Sequence, residues 1–287
     1  MAPTNALDDL IKLLDLEPIE QNIFRGQSPN EDRQRVFGGQ VAGQALVAAA
    51  RTIDEPGRHV HSLHAYFLRP GDPGMPILYE VDRIRDGKSF STRRVVAIQH
   101  GKAIFNLQSS FQNREQGLEH HIAMPTGVPD PESVPDFATR MAPHKDKLGG
   151  WYERPRPIDL RYVGSDPFSR GGARSLGQRV WLRADGTLPN DEVLHACIVT
   201  YASDMSLLDT TLLPHGVTWS DGSMQMASID HAMWFHRPFR ADEWMLYDQA
   251  SISTSNSRGL ASGSIFSRGG ELLVTVVQEG LIRVVKK

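Results

Sequence analysis

Three polar residues in the second half of the sequence stand among apolar neighbours, where acid–base chemistry becomes possible. Asp204 follows Cys197 and Tyr201 at helical spacing, which places its carboxylate on or beside a buried helix face. Ser228 and Gln278 each lie in an apolar, strand-like stretch. A carboxylate or an amide that leaves water needs hydrogen-bonding partners, and burial raises the pKa of a carboxyl group.

Each of these residues also has a purely structural interpretation. Asp204 could cap a helix or pair with an arginine, Ser228 could be an ordinary strand serine, and Gln278 could be a satisfied core amide. Structural networks also bury polar groups, so periodicity alone favours the structural interpretation for each residue.

Other familiar chemistry is not supported by the sequence, which contains neither G-x-S-x-G nor G-x-G-x-x-G. Gly87–Ser89 resembles the end of a phosphate-binding loop, but Asp82 stands where that loop requires its first glycine. The single cysteine and the scattered histidines lack the spacing of metal ligands. We therefore expect no metal and no cofactor.

Two parts of the sequence are related by an offset of 237 − 69 = 168 residues. The offset carries Phe67 and the Arg69-Pro pair onto Phe235 and the Arg237-Pro pair. Such internal similarity predicts two copies of one fold. The copies differ at the polar positions, because Gln278 corresponds to Ser110 and residues 38–51 contain no acidic side chain.

The apolar pattern predicts a helix followed by antiparallel strands in each half. Asn5 can cap an amphipathic helix over residues 5–16, and the Ala-rich run after Gly38 and Gly39 predicts a thin central helix. Its counterpart is expected over Glu192–Leu208, and Phe24–Pro29 is expected to be a loop. Strands are expected at about residues 59–68, 76–85, 89–99 and 102–112, with a further candidate at 118–123, and at 159–163, 178–183, 225–237, 243–253, 258–268 and 271–284.

Length and composition favour a globular protein of two domains. The chain has 287 residues, of which 40% are hydrophobic, and its net charge of 31 − 34 = −3 provides no basic surface for nucleic acid. No apolar run approaches the roughly 20 residues that span a bilayer. A lone Cys197 and the lack of a signal peptide make the cytoplasm the expected location. We expect an N-terminal domain over residues 1–123, a Pro-rich connector with a short helix near 137–141 over residues 124–160, and a C-terminal domain over residues 161–287.

Longer stretches of the sequence resemble the type II acyl-CoA thioesterases, over nearly the whole chain. The matching segments are Phe24–Ser28, Arg35–Val41, His61–Asp72, Arg85–Phe90, Tyr201–Asp204, Ile229–Phe239 and Val277–Gly280. The resemblance implies an α+β fold of two tandem hotdog domains, each a long central helix wrapped by a curved antiparallel sheet. It also implies a catalytic set of an Asp in the second long helix, a Ser or Thr before the Asp-His pair and a Gln in the last strand, which match Asp204, Ser228 and Gln278.

The implied reaction is hydrolysis of fatty acyl-CoA to a free fatty acid and coenzyme A. Asp204 would deprotonate a water that Ser228 and Gln278 hold, without a covalent intermediate. A strong general acid is not required, because a thiol has a pKa of about 8.5. Ser228 is a poor nucleophile candidate, because His231 is expected on the opposite strand face.

The sequence also offers candidate contacts for the substrate. The backbone N–H groups at Gly39 and Gln40 are candidates for an oxyanion hole, although glycine there serves close helix packing equally well. Arg258, Lys88 and Arg93 are candidate contacts for CoA, with solvated surface cations as the alternative interpretation.

Two other functions remain open at this stage. Hotdog proteins include enoyl-CoA hydratase-type lyases, and a non-catalytic acyl-CoA binding module would share the same pocket. The resemblance also implies a homo-oligomer, either a dimer or a tetramer.

Overall fold

The protein is described by a computed structural model that covers residues 5–29, 34–164, 175–219 and 222–285. Residues 1–4 and 286–287 lie outside these ranges. The first residues of the expected N-terminal domain and the last residues of the expected C-terminal domain are therefore not described. Across the described ranges, no helix is both long enough and apolar enough to cross a bilayer.

Two central helices form the middle of the molecule. Helix α2 (Gly38–Ala50) is buried along almost its whole length, and helix α6 (Glu192–Ser203) packs against it. A Cβ atom on Gly39 would approach the carbonyl of Tyr201, and one on Gly43 would approach the carbonyl of Cys197. A later residue of α2 thus contacts an earlier residue of α6, so the two helices are antiparallel. Their backbones lie close together at these glycines.

The strands form one antiparallel sheet that continues through both halves. In the first half they are β1 (Glu17–Glu20), β2 (Ile23–Gly26), β3 (Arg58–Phe67), β4 (Ile77–Asp86), β5 (Phe90–Gln99) and β6 (Lys102–Asn113). In the second half they are β7 (Ile158–Val163), β8 (Gly177–Ala184), β9 (Met224–Ser228), β10 (Asp230–Phe235), β11 (Met245–Ser255), β12 (Arg258–Ser267) and β13 (Leu272–Val284). Their order is β1-β2-β4-β5-β6-β3-β10-β13-β12-β11-β8-β7, with β9 also paired to β13.

The centre of this sheet confirms the internal repeat. Strands β3 and β10 pair antiparallel, and His64 lies opposite Ala232. These two residues are separated by 232 − 64 = 168 positions, so each lies opposite its own counterpart. An approximate two-fold axis therefore passes between them and relates the two halves.

The remaining helices lie outside the central pair. Helix α1 (Ala6–Leu14) begins after Asn5, whose side chain accepts a hydrogen bond from the Leu7 N–H, as expected for its cap. The connector contains α3 (Phe137–Met141) at the expected position, then α4 (Lys145–Leu148) and α5 (Gly150–Glu153). The connector residues Met124, Val128 and Val134 pack on the outer face of the C-terminal half. The division into two domains at residues 123 and 160 stays a prediction, and β7 begins before its second boundary.

Several expected boundaries were wrong for local reasons. The expected loop at Phe24–Pro29 begins as β2, whose partner β1 is an exposed edge strand without an apolar pattern. The candidate strand at 118–123 is not a strand, and its residues are largely exposed. The expected helix Glu192–Leu208 ends at Ser203, and after a turn the chain continues as a 3-10 helix over Leu208–His215. The expected strand 225–237 is interrupted at Ile229.

The close contact between α2 and α6 makes Gly39 a sensitive position. A Cβ at Gly39 would lie 2.4 Å from the backbone oxygen of Tyr201. Gly39→Ala should therefore separate the helices and lower the free energy of unfolding by about 1–3 kcal/mol, measured by urea denaturation. Gly150→Ala is the matched control, because its Cβ would meet nothing within 4 Å at the start of another helix. Equal stability of the two variants would contradict the close helix contact.

Candidate active site

Asp204 lies where the carboxyl end of α6 meets the amino end of α2. It follows the last residue of α6 as its C-cap, so the expectation that it lies within the helix was wrong. The Gly39 N–H donates a hydrogen bond to its carboxylate. A Cβ on Gly38 would lie 2.7 Å from Oδ2 of Asp204. The unpaired N–H groups and the dipole at the start of α2 therefore favour a negative charge at this point.

The three expected catalytic residues come together from three elements. Gln278 on β13 donates from Nε2 to Oδ1 of Asp204 at 2.5 Å and to the Ser228 hydroxyl oxygen at 3.1 Å. The Ser228 hydroxyl, at the end of β9, donates to the same Asp204 oxygen at 3.3 Å. Both bonds use Oδ1, so Oδ2 remains on the side of Gly38. Oε1 of Gln278 is buried and has no hydrogen-bond partner among the described residues, so it can accept a hydrogen bond from a water molecule.

A β-bulge positions Ser228. Ser228 lies opposite Gly280, but Ala232 lies opposite Val277, so this strand holds one more residue than its partner between the two pairs. The side chain of Asp230 stabilises the bulge by accepting a hydrogen bond of 2.7 Å from the Glu279 N–H. Asp230 thus has a structural contact.

The bulge also corrects the expected orientation of His231. The extra residue brings His231 to the same face as Ser228, toward α6, whereas a regular strand would place them on opposite faces. Nε2 of His231 lies 2.8 Å from the Ser203 hydroxyl oxygen, and burial lowers the pKa of His231 to about 4. The imidazole is therefore neutral and bonded to Ser203 rather than to Ser228.

Burial makes Asp204 a stronger base than an ordinary aspartate. Loss of water raises the pKa of Asp204 to about 6, while the hydrogen bonds from Gln278, Ser228 and the Gly39 N–H oppose that rise. A base with such a pKa is ionised at neutral pH and still accepts a proton readily.

Asp204 and Ser228 line a pocket of about 600 Å³. Exposed Arg35 and Arg69 lie at its edge, where they donate hydrogen bonds to the carbonyls of Met226 and Ala103. Apolar side chains supply most of the wall, namely Val36, Phe37, Val41, Phe67, Ile104, Phe105, Leu208, Trp219, Met226 and Leu281. The pocket can therefore hold an apolar group beside the carboxylate.

A second carboxylate, Asp209, lines the same pocket. Burial, followed by the charge of Asp204, raises the pKa of Asp209 to about 7. Sequence reasoning missed this residue because it lies in the 3-10 helix after α6, where neither a helix nor a strand period applies. Its spacing of five residues from Asp204 was the only available signal.

The two residues expected to form the oxyanion hole, Gly39 and Gln40, have different contacts. Gln40 is buried, and its side chain donates to the Gln27 carbonyl at 3.1 Å and contacts Ser28, so it holds the preceding loop. The Gly39 N–H is engaged with Asp204, which leaves the N–H groups of Gly38 and Gln40 as the other unpaired donors of the first helical turn.

The three candidate CoA contacts do not form one surface. Arg93 is fully buried and bonds to Thr52, Asp86 and backbone carbonyls, so the expectation of a CoA contact was wrong there. Lys88 is exposed beside Arg58 at the start of β3, and Phe67 at the other end lines the pocket, a span of about 30 Å along the strand. Arg258 is closer, because it pairs with Leu281 of the pocket wall, but its guanidinium bonds to Glu279 at 2.9 Å.

Metal ligation has no candidate cluster in the part of the chain that the structure describes. No group of three or more His, Cys, Asp or Glu side chains there could hold an ion.

Comparisons with family models and with individual proteins identify the same family. The family model described as acyl-CoA thioesterase matches residues 161–281, and the model of the acyl-CoA thioesterase N-terminal domain matches residues 27–112. Acyl-coenzyme A thioesterase 8 of Homo sapiens is 44% identical over 284 residues, which cover 95% of this chain and 88% of that protein.

Solved structures agree with this result. An acyl-CoA thioesterase II of Mycobacterium marinum is 45% identical with a TM-score of 0.81, and the match covers 96% of this chain and 99% of that one. A protein with a hotdog fold from Alicyclobacillus acidocaldarius is 19% identical with a TM-score of 0.79, over 99% of this chain and 100% of that one, which shows the fold alone. The chain belongs to the acyl-CoA thioesterase family, and its fold is α+β with two tandem hotdog units.

The raised pKa of Asp204 predicts a pH-dependent cost to stability. The folded pKa of about 6 lies above the unfolded value, so the native state holds the proton more tightly and loses stability as the pH rises from about 4 to 6. Asp204→Asn removes this cost and should raise the free energy of unfolding above pH 6 by on the order of 2–3 kcal/mol. Urea denaturation of both proteins at pH 4 and pH 7.5 measures the difference, and a gap that does not grow with pH would contradict it.

Proposed function

We propose that the protein hydrolyses acyl-CoA thioesters to a fatty acid and coenzyme A, with Asp204 as the general base. The observation that carries the proposal is a desolvated carboxylate, held by Ser228 and Gln278, at the amino end of α2 and in a largely apolar pocket. The similarity to acyl-coenzyme A thioesterase 8 and to an acyl-CoA thioesterase II supports the same substrate class.

The mechanism needs one activated water and a polarised carbonyl. Asp204 removes one proton from the water, and the O–H that remains can donate a hydrogen bond to Oε1 of Gln278. The thioester carbonyl lies toward the amino end of α2, where the N–H groups of Gly38 and Gln40 and the helix dipole stabilise the developing oxyanion. Ser228 holds the Asp204 carboxylate and the Gln278 amide in position through one hydrogen bond to each. The carbon–sulfur bond then breaks and coenzyme A leaves.

The substrate is placed by the two ends of the pocket. The apolar wall accommodates the acyl chain, and Arg35 and Arg69 are the cations nearest to the opening for the anionic end of CoA. Arg258 remains a further candidate behind Leu281.

The two other functions have less support. A hydratase-type lyase would use an Asp–His or a His–Glu arrangement. Near Asp204, however, His231 is buried against Ser203, and Asp230 bonds to the Glu279 N–H. A non-catalytic module has no use for a costly buried carboxylate, which an apolar side chain would replace at lower cost.

We also propose that the protein is a homo-oligomer. The outer face of the N-terminal sheet exposes Leu78, Ile84 and Tyr66, whereas the connector covers the equivalent face of the second half. This uncovered sheet face is the surface on which we expect a second copy of the chain to pack.

Thiol release from short-, medium- and long-chain acyl-CoA tests the reaction. The rate should fall below pH about 6, because Asp204 becomes protonated and cannot accept a proton from water. Asp204→Asn should lower kcat by about 10²–10⁴. Asp248→Asn is the control, since Asp248 pairs with Arg179 outside the pocket. Thiol release by Asp204→Asn at the wild-type rate would exclude Asp204 as the base.

A direct attack by water predicts a graded effect at Ser228. Ser228→Ala removes one hydrogen bond to a charged group, and should lower kcat by about 10- to 100-fold without abolishing turnover. Ser228→Thr keeps the hydroxyl and should retain most of the activity. Rapid mixing should show no burst of free thiol in the first turnover. A burst in the wild type, together with complete loss of turnover in Ser228→Ala, would instead establish a covalent acyl-serine.

A further inference from the structure

Asp209 has no role in the proposed hydrolysis, yet it lines the same pocket as Asp204. It lies near the start of the 3-10 helix Leu208–His215 and lines the pocket that also contains Asp204, Ser228 and Gly38. On its other side, Tyr162 and Trp219 enclose a small cavity. No hydrogen bond or ion pair from the described residues satisfies the Asp209 carboxyl group. A polar group in such a place is available to a ligand.

The charged and titratable groups around Asp209 do not neutralise it. Asp204, from the end of α6, adds negative charge, and Tyr162, from β7, is neutral because burial raises the pKa of its hydroxyl. Arg35 and Arg69 face the same pocket, but their guanidinium groups bond to the carbonyls of Met226 and Ala103. Among the described residues, Asp209 is thus a carboxyl group beside another carboxylate, without a cation of its own.

Two carboxyl groups in one desolvated pocket do not ionise together. Asp204 is stabilised as an anion by three hydrogen bonds, whereas no described residue gives one to the Asp209 carboxyl group, so Asp204 loses its proton first. Near neutral pH the pocket therefore holds one base and one acid. Pairs of carboxyl groups that their environments separate in this way commonly divide general base and general acid roles between them.

We propose that Asp209 is the proton donor to the sulfur atom of the departing coenzyme A, an inference that rests on the proposed thioester hydrolysis. Water loses one proton to Asp204, and its oxygen forms the new bond to the thioester carbon. As the carbon–sulfur bond breaks, its electron pair remains on sulfur, and the Asp209 carboxyl gives its proton to that sulfur. The products are the thiol and the carboxylic acid. One proton moves from Asp204 to Asp209 to restore the starting state, and the fatty acid ionises in solvent.

The donor need not be strong, which agrees with the chemistry of thioesters. A thiol has a pKa of about 8.5, so a carboxyl group that has kept its proton to near neutrality can still transfer it to sulfur favourably. The transfer also avoids a thiolate anion among apolar side chains, where a charge without a partner is costly.

Asp209→Asn tests the donor through the leaving group. The variant should hydrolyse acyl-CoA with a kcat about 10- to 100-fold below the wild type, in the lower part of the range for general acid catalysis. It should hydrolyse the same acyl group on 5-thio-2-nitrobenzoate nearly as fast as the wild type does, because that thiolate leaves without a proton. Asp204→Asn should slow both substrates, and Asp248→Asn should slow neither. Equal slowing of both substrates by Asp209→Asn, or slowing of neither, would overturn the proposal.

The pH dependence of turnover is a second test, because loss of a purely structural side chain would not alter it. Wild-type turnover of acyl-CoA should decline above pH about 7, because Asp209 loses the proton that it donates. The decline should be absent with the thionitrobenzoate ester and in Asp209→Asn, and a decline that persists in both would overturn the proposal. Asp209→Ser, which removes the carboxyl group with a smaller side chain, replaces Asp209→Asn if the latter does not fold. A wild type that hydrolyses neither substrate would instead refute the proposed function itself.

Discussion

The contact between the amino end of α2 and the carboxyl end of α6 is the constraint on which the rest of the structure depends. Gly38 and Gly39 lack side chains, so the Asp204 carboxylate and the Tyr201 carbonyl can approach the first turn of α2 directly. One arrangement thereby creates the core packing of two helices and a place for a desolvated anion. A side chain at either glycine would disturb both at once, since no space separates the helix contact from the site.

The approximate two-fold axis generates a second pocket, and comparison of the two pockets explains where chemistry is supported. The second pocket, of about 430 Å³, is lined by His59, His61 and Glu192 together with Phe235 and Arg237, the counterparts of Phe67 and Arg69. Strand β3 carries a bulge between Val60 and Ser62, at the position equivalent to the bulge at Ile229. The scaffold of a site is therefore present twice.

The second pocket lacks counterparts of the Asp204 carboxylate and the Gln278 amide. The C-cap of α2 is Arg51 where α6 has Asp204, and Ser110 stands where β13 has Gln278. Ser110 bonds instead to His61, at 2.8 Å. The two halves thus share their backbone arrangement, whereas the Asp204 carboxylate and the Gln278 amide occur only in the second half.

The sequence predicted the elements well where a single period ran through them, and failed where the backbone departs from a period. Ser228 and Gln278 were found because apolar strands surround them. The orientation of His231 was wrong because one inserted residue at a bulge reverses every later side chain, and nothing in the residue types around Ile229 marks that insertion. The burial of Arg93 was missed for a different reason, because its partners Thr52 and Asp86 lie on other elements. Long-range hydrogen bonds of this kind leave no local pattern.

The amino ends of α2 and α6 differ, and this difference explains why an anionic site forms in only one of the two related pockets. Helix α6 begins with Asp191, whose side chain accepts hydrogen bonds from the N–H groups of Val193 and Leu194, and Glu192 adds a second acid. These groups stabilise α6 but occupy the donors that an incoming anion would need. Helix α2 begins at Phe37 and Gly38 without a side-chain cap and without an acid in its first turn. Its unpaired donors leave the helix start less stable on its own, and for that reason they remain free to hold the Asp204 carboxylate and to receive a developing oxyanion.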